Sequence, residues 1–312
     1  MAVHATLDLE TRSACSLKAC GAWRYSIDPS TEILCLAYRL PTWEAGRTGL
    51  WHPAFPTLDI PENTDQDDLS ELLDWLLATG LVEAHNAWFE RCMWQNVLVP
   101  QHGFPAISPL QWRCSAAKAA AHALPRGLND ALAALQLPIR KDAEGEAVMK
   151  KMMKPRKPRK AEREAWEKSH GSTPHPILWW ESQKLFETLW QYCRQDVLAE
   201  AALSATLPDL SAKETQVYLL DQAINERGFR LDHEAVSTAL NMIREEQARG
   251  LVELRELTEG KVKKATQRAQ MMVWLESEKV RLPNTQRETL ECELREGSQA
   301  SRSPKARRAI QL

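Results

Sequence analysis

Two acids one residue apart, Asp8 and Glu10, lie in a run from Val3 to Arg12 that reads as a short strand. In a strand, residues i and i+2 share a face, so the two carboxylates stand side by side and repel. A hard divalent cation between them turns that repulsion into ligation, and Mg²⁺ and Mn²⁺ take oxygen ligands of this kind. An Asp-x-Glu arises about once by chance in a chain of this length, so the pair needs support from elsewhere. Asp196 provides it. A helix is predicted over 181–206, and Asp196 falls on its apolar face with Leu185, Leu189, Tyr192, Ala199 and Leu203. A carboxylate there is costly unless it is paired or bound to metal. Tyr192 lies one turn earlier, so its hydroxyl shares that face. A third polar cluster, Asn86 and Glu90, sits where Leu81 to Glu90 reads as a strand running into a helix, the end at which α/β folds hold ligands. Asn86 equally suits a helix cap, and Glu90 an ordinary first-turn acid.

The elements that must position these residues follow from periodicity. Glu32 to Leu40 has the length of a buried strand returning beside the first, after a loop that begins beyond Thr11, and a third short strand is expected near Thr48 to His52. Leu69, Leu72, Leu73, Leu76 and Leu77 form the stripe of a helix that Gly80 ends. Trp112 to Leu124 and Gly127 to Leu135 read as helices. A boundary is expected near Pro208. Beyond it Ser211 and Glu214 form a capping box, Val217, Leu220 and Ile224 give an apolar face, and Gly228 closes the helix. Asp232 to Leu312 reads as charged and helical, with apolar residues gathered at Leu251 to Leu257 and Met271 to Leu275, and with a mobile tail from Gly297 onward.

Composition, with 44% hydrophobic and 26% charged residues, is that of a globular protein, and no run approaches a membrane span or a signal-peptide core. A cytoplasmic location is expected. The seven scattered cysteines match no zinc spacing and are expected to be buried reduced thiols. The net charge of −2 hides a basic stretch: Lys150 to Lys168 holds nine Lys or Arg against three Glu. Within it, Lys150 to Lys160 is broken by Pro155 and Pro158, so no regular element is expected there. It suits either a solvated loop or a contact with a phosphate backbone through Lys154, Arg156, Lys157 and Arg159.

Asp8-x-Glu10, Asn86-x-x-Phe89-Glu90 and Tyr192-x-x-x-Asp196, in this order and on these elements, resemble the three motifs of the DEDD superfamily of 3′-to-5′ exonucleases, in its tyrosine-containing branch. More narrowly, Leu7 to Leu40, Ala84 to Glu90, Tyr192 to Glu200 and Ile224 to Asp232 resemble phage family-A (Pol I-like) DNA polymerases. The resemblance implies an α/β fold, a ribonuclease H-like mixed sheet flanked by helices over 1–207, followed over 208–312 by a smaller, mostly helical region resembling the start of a polymerase domain. It implies that Asp8, Glu10 and Asp196 hold one divalent ion, Mg²⁺ or Mn²⁺, that Asp8 and Glu90 hold a second, and that Tyr192 orients the attacking water. Two such ions roughly 3.5–4 Å apart can clamp an in-line displacement at phosphorus.

The implied substrate is a single-stranded DNA 3′ end, trimmed to nucleoside 5′-monophosphates as the proofreading part of a polymerase. Thr11 and Asn86 are then nucleic-acid contacts, and Trp88 and Phe89 are surfaces for base stacking, although Phe89 suits core packing better. Glu90 departs from the Asp usual in the second motif. The catalytic aspartates of a polymerase palm do not occur before Leu312, so nucleotide incorporation is not expected from this chain, and a separate polymerase chain is a candidate partner. A single-strand-binding module without catalysis and a 3′-to-5′ exoribonuclease are the competing readings.

Overall fold

The computed structural model describes residues 4–63, 66–139, 142–296 and 303–312. Their contacts divide the chain into two compact units, Met1–Arg227 and Gly228–Leu312, one helix beyond the boundary expected near Pro208.

The first unit is built on a five-stranded mixed sheet of order β3-β2-β1-β4-β5, with β1 (His4–Arg12) at its centre. β2 (Glu32–Arg39) runs antiparallel to β1 and to β3 (Gly49–Trp51), whereas β4 (Leu81–Ala84) and β5 (Trp112–Cys114) continue the sheet in parallel. This is the mixed sheet with flanking helices that the sequence predicts. β1 is buried along nearly its whole length because helices cover both faces of a central strand. On one face Ala5, Leu7 and Leu9 join the main core with Leu72, Leu76 and Met93. On the other, register sets Asp8 opposite Ala37 and Glu10 opposite Cys35, small residues over which Cys193 and Val197 pack.

The helices of this unit are α1 (Leu17–Ser26), α2 (Gln66–Leu77), α3 (Trp88–Met93), α4 (Val99–His102), α5 (Ser115–Ala121), α6 (Leu128–Ala134), α7 (Ala143–Met152), α8 (Lys160–His170), α9 (Gln183–Thr206) and α10 (Ala212–Arg227). Several differ from expectation. The loop expected after Thr11 contains α1, broken at Gly21, whose φ of 75° lies in the left-handed region. Trp112 to Cys114 is an edge strand rather than the start of a helix, so the apolar run there serves the sheet first and α5 afterwards. Leu77 turns to solvent while Leu72 and Leu76 are buried. Gly80 matters through close approach: a Cβ there would come within 2.4 Å of the Trp75 ring. Lys150 and Lys151 lie in the last turn of α7, and α8 opens at Lys160, which leaves only the segment between them irregular.

α10 forms as its capping box predicts, with Ser211 Oγ accepting from Glu214 N at 3.2 Å, but its expected packing face is inverted. Tyr218 packs on the core, and Gln222 and Glu226 bond buried Arg91 of α3, while Val217, Leu220 and Ile224 face solvent. A buried guanidinium without its carboxylate would cost more than a few exposed apolar side chains.

The second unit comprises α11 (His233–Leu257), α12 (Arg268–Ser277), α13 (Arg287–Glu296) and α14 (Pro304–Gln311). Its core gathers Leu254, Leu257, Met271, Trp274 and Leu275 from the two expected apolar stretches. Of the tail expected to be mobile, residues 297–302 lie outside the described residues, while α14 buries Ala306, Ala309 and Ile310 in this core. No described helix is long and apolar enough to cross a membrane.

Candidate active site

The first unit brings Asp8, Glu10 and Asp196 onto the face of the sheet that α9 covers. α9 is opened by Ser182, whose hydroxyl accepts from Leu185 N at 3.3 Å, and it turns Tyr192, Cys193, Asp196, Val197, Ala199 and Glu200 inward. The Cys193 thiol donates to Asp8 Oδ2 at 3.3 Å and to the Asp8 carbonyl at 3.4 Å, which fixes the helix one residue after Tyr192 against the middle of β1. The register of β1 on β2 slips between Glu10 and Thr11. A bulge at that point bends the strand and re-aims the side chains leaving it. Thr11 is buried there, its hydroxyl 2.9 Å from that of Tyr25.

Beyond the bulge, buried Arg12 pairs with Glu32 and, at 2.6 Å, with Glu181, and its guanidinium lies 4.8 Å from the Trp179 ring centre. This ion cluster ties the end of β1 to the start of β2 and to the residue before the cap of α9. The sequence reading passed over Arg12, whose signal was its register opposite an acid at the start of the next strand.

Glu90 lies on the helix that follows β4, the strand paired in parallel with β1. β4 ends at Ala84, and Asn86 turns the chain with a φ of 70°, its carbonyl accepting from Phe89 N at 3.0 Å. Asn86 is exposed, and the cap position of α3 falls to Ala87, so the capping role considered for the Asn86 side chain is not the one seen. Glu90 itself is buried, and its Oε2 has no hydrogen-bond partner among the described residues. Burial first, and then the charge of Asp8, pushes its carboxyl well above the usual carboxylate range. Trp88 and Phe89 are half-buried, with the Phe89 ring 6.0 Å from that of Tyr25 and both packed on the main core.

Tyr192 is buried and hydrogen-bonded to Asp196, and burial followed by the charges of Asp196, Glu10 and Asp8 holds its hydroxyl protonated far above neutral pH. Each of these groups thus lies within electrostatic reach of acids from a remote segment. A further buried carboxyl was missed in the sequence reading. Glu200, one turn after Asp196, is hydrogen-bonded to Ser115, and its Oε1 has no partner among the described residues. Burial, then Glu83, raises it well above the usual range, with smaller contributions from Asp8 and Glu90. Its i, i+4 spacing from Asp196 was the available signal.

A set of carboxylate oxygens with an orphaned buried Oε2 at Glu90 is, by donor chemistry, suited to hard divalent ions. Among the described residues, no three of His, Cys, Asp or Glu are gathered as an ion would need them. Holding an ion therefore calls for side-chain rotation toward a common point.

The basic segment is not uniform. Arg156 is committed within the fold: it forms two bonds of 2.8 Å to Glu162 and one of 3.1 Å to the Trp179 carbonyl, and this pairing holds Glu162 down to about 2. Lys154, Lys157 and Arg159 are exposed.

With this geometry in view, the comparison with known proteins is specific. The chain is similar to the DNA polymerase of Bacillus phage SP02. The two are 29% identical over 290 residues, which is 92% of this chain and 40% of the phage protein. That length exceeds the first compact unit, so the likeness extends into the second. No family model matches the chain.

Proposed function

We propose that the first unit is a divalent-metal-dependent 3′-to-5′ exonuclease acting on single-stranded DNA ends, associated with a phage-type DNA polymerase. The observation that carries this reading is the electrostatic reach between acids drawn from three remote segments: Asp8 acts on Glu90, and Asp8, Glu10 and Asp196 act on the Tyr192 hydroxyl. The likeness to a phage DNA polymerase supports the choice of DNA.

Asp8, Glu10 and Asp196 would hold one Mg²⁺ or Mn²⁺, and Asp8 with Glu90 a second. Bound there, the ions supply Lewis acidity to the water and to the departing 3′-oxygen. The protein's own part is positioning. Tyr192, protonated and bonded to Asp196, keeps a hydroxyl fixed beside the carboxylates, where it can align a water with the scissile phosphorus. Asn86, exposed at a left-handed turn next to Trp88 and Phe89, borders the approach for a terminal nucleotide. Lys154, Lys157 and Arg159 offer charge to the phosphate backbone.

The test is release of mononucleotides from 3′-end-labelled single-stranded DNA and from a matched RNA. We expect release from DNA with Mg²⁺ or Mn²⁺ and none in EDTA. Full activity in chelator overturns the two-ion mechanism, faster release from RNA overturns the substrate, and binding without release leaves a single-strand-binding module.

A further inference from the structure

The seven cysteines were expected to be buried, and four are: Cys35, Cys92, Cys114 and Cys193. Cys15 and Cys20 are partly exposed, and their sulfurs lie 2.7 Å apart across a five-residue span. Two features of the chain bring them together. The Cys15 amide donates to Ser13 Oγ at 3.0 Å, holding it at the end of β1. Residues 16 to 20 then close a single helical turn, with Ala19 N and Cys20 N both donating to the Ser16 carbonyl, before Gly21 breaks the helix.

That separation is shorter than the ordinary approach of two sulfur atoms and leaves only a small movement to a covalent bond. The hydrogen bond shared with Cys20, and then burial, push the Cys15 thiol up to about 11, so Cys15 keeps its proton at neutral pH. Arg24, one turn beyond Cys20 in sequence, adds positive charge nearby.

We propose that Cys15 and Cys20 are a redox modification site that closes to an intramolecular disulfide on exchange with low-molecular-weight disulfides such as oxidised glutathione. The Cys20 thiolate attacks one sulfur of the small disulfide, forming a mixed disulfide and releasing one small thiolate. Cys15 then gives its proton to solvent and attacks the Cys20 sulfur, which expels the second small thiolate. Two protein thiols are oxidised, and one small disulfide is reduced to two thiols. The bond would pin the start of α1 to the end of β1, on the connection that delivers Tyr25 to Thr11. Nothing in this inference depends on nuclease activity.

Trypsin cuts after Arg12, Lys18 and Arg24, so it separates the two cysteines and a disulfide between them survives as a linked peptide pair. The Cys292→Ser protein is treated with oxidised glutathione, alkylated, and digested without reduction. We expect residues 13–18 linked to residues 19–24, lost on treatment with dithiothreitol, and formed faster in the native protein than in concentrated urea. In Cys15→Ser, the remaining Cys20 should carry glutathione instead. Glutathione adducts or alkylated thiols at both positions in place of the linked pair overturn the proposal, as do equal rates in urea.

Discussion

Helices α9 and α10 follow one another in the chain and bury opposite kinds of side chain. α9 turns Asp196 and Glu200 inward beside Leu189, Val197 and Leu203, whereas α10 turns Val217, Leu220 and Ile224 outward and sends Gln222 and Glu226 to Arg91. Reading apolar residues as the buried face therefore fails in α10 and holds in α9, where carboxyls are buried among the apolar residues. In α10 the choice is a cheap one: exposed apolar area costs about 25 cal/mol per Å², and a buried arginine gains its counter-charge. In α9 the choice is expensive. Several carboxyls are confined together, and two of them, Glu90 and Glu200, are pushed toward the neutral form. An arrangement that expensive points to chemistry, and one that cheap to local pairing.

The sharpest way to break this contrast is Asp196→Asn. It removes one charge from the confined group while keeping its shape, so mononucleotide release should fall by orders of magnitude while the metal-free protein melts no lower than the wild type. Loss of folding would mean that Asp196 serves a structural ion pair instead. Tyr192→Phe leaves every carboxylate in place and should reduce turnover about 10–100-fold with ion binding retained.

A second test uses pH. For an acid raised in the folded state, the native protein binds more protons than the unfolded chain between the two pKa values. Stability is therefore highest below the ordinary value of 4.5 and is lost as pH rises toward the folded value. Glu200→Gln should flatten this decline when urea midpoints are measured across pH in chelator; an unchanged slope would show that Glu200 is not held neutral.

The basic segment gives a smaller effect. Neutralising Lys154, Lys157 and Arg159 should lower the salt dependence of single-strand binding by about 0.7 for each phosphate left without its cation, as read from binding isotherms at several salt concentrations. Arg156→Ala should change thermal stability more than that slope, because its guanidinium is held by Glu162. The smallest effect belongs to α10. Leu220→Ser should shift stability by no more than about 0.5 kcal/mol in a denaturant titration, and a larger change would mean that this face is covered.

The central strand, its partner β2 and the long helix α9 were legible because each carries a strong local pattern, and the acids stood out by breaking it. What could not be read were consequences of register and pairing. α1 was hidden because Gly21 interrupts its periodicity, and the face of α10 was decided by Arg91 on a distant helix. Glu200 went unnoticed among the polar residues of a long helix, although its spacing from Asp196 was visible. The division of labour within the basic segment depended on Glu162, which composition counted only as an opposing charge.

Gly145 has a consequence for how this molecule could be altered. It lies buried in α7, and a Cβ there would sit 2.6 Å from both Cβ and Cδ2 of Tyr192. Helix propensity favours Ala over Gly by about 1 kcal/mol, so a stabilising redesign would choose that substitution first. Here the added methyl has no room. It would wedge α7 away from α9 at Tyr192, and the exposed lysines that follow α7 would move with it. One absent carbon thus acts as a spacer between the hydroxyl at the candidate active site and the charges beside the candidate strand path. Engineering for heat resistance would lose that alignment before it lost the fold.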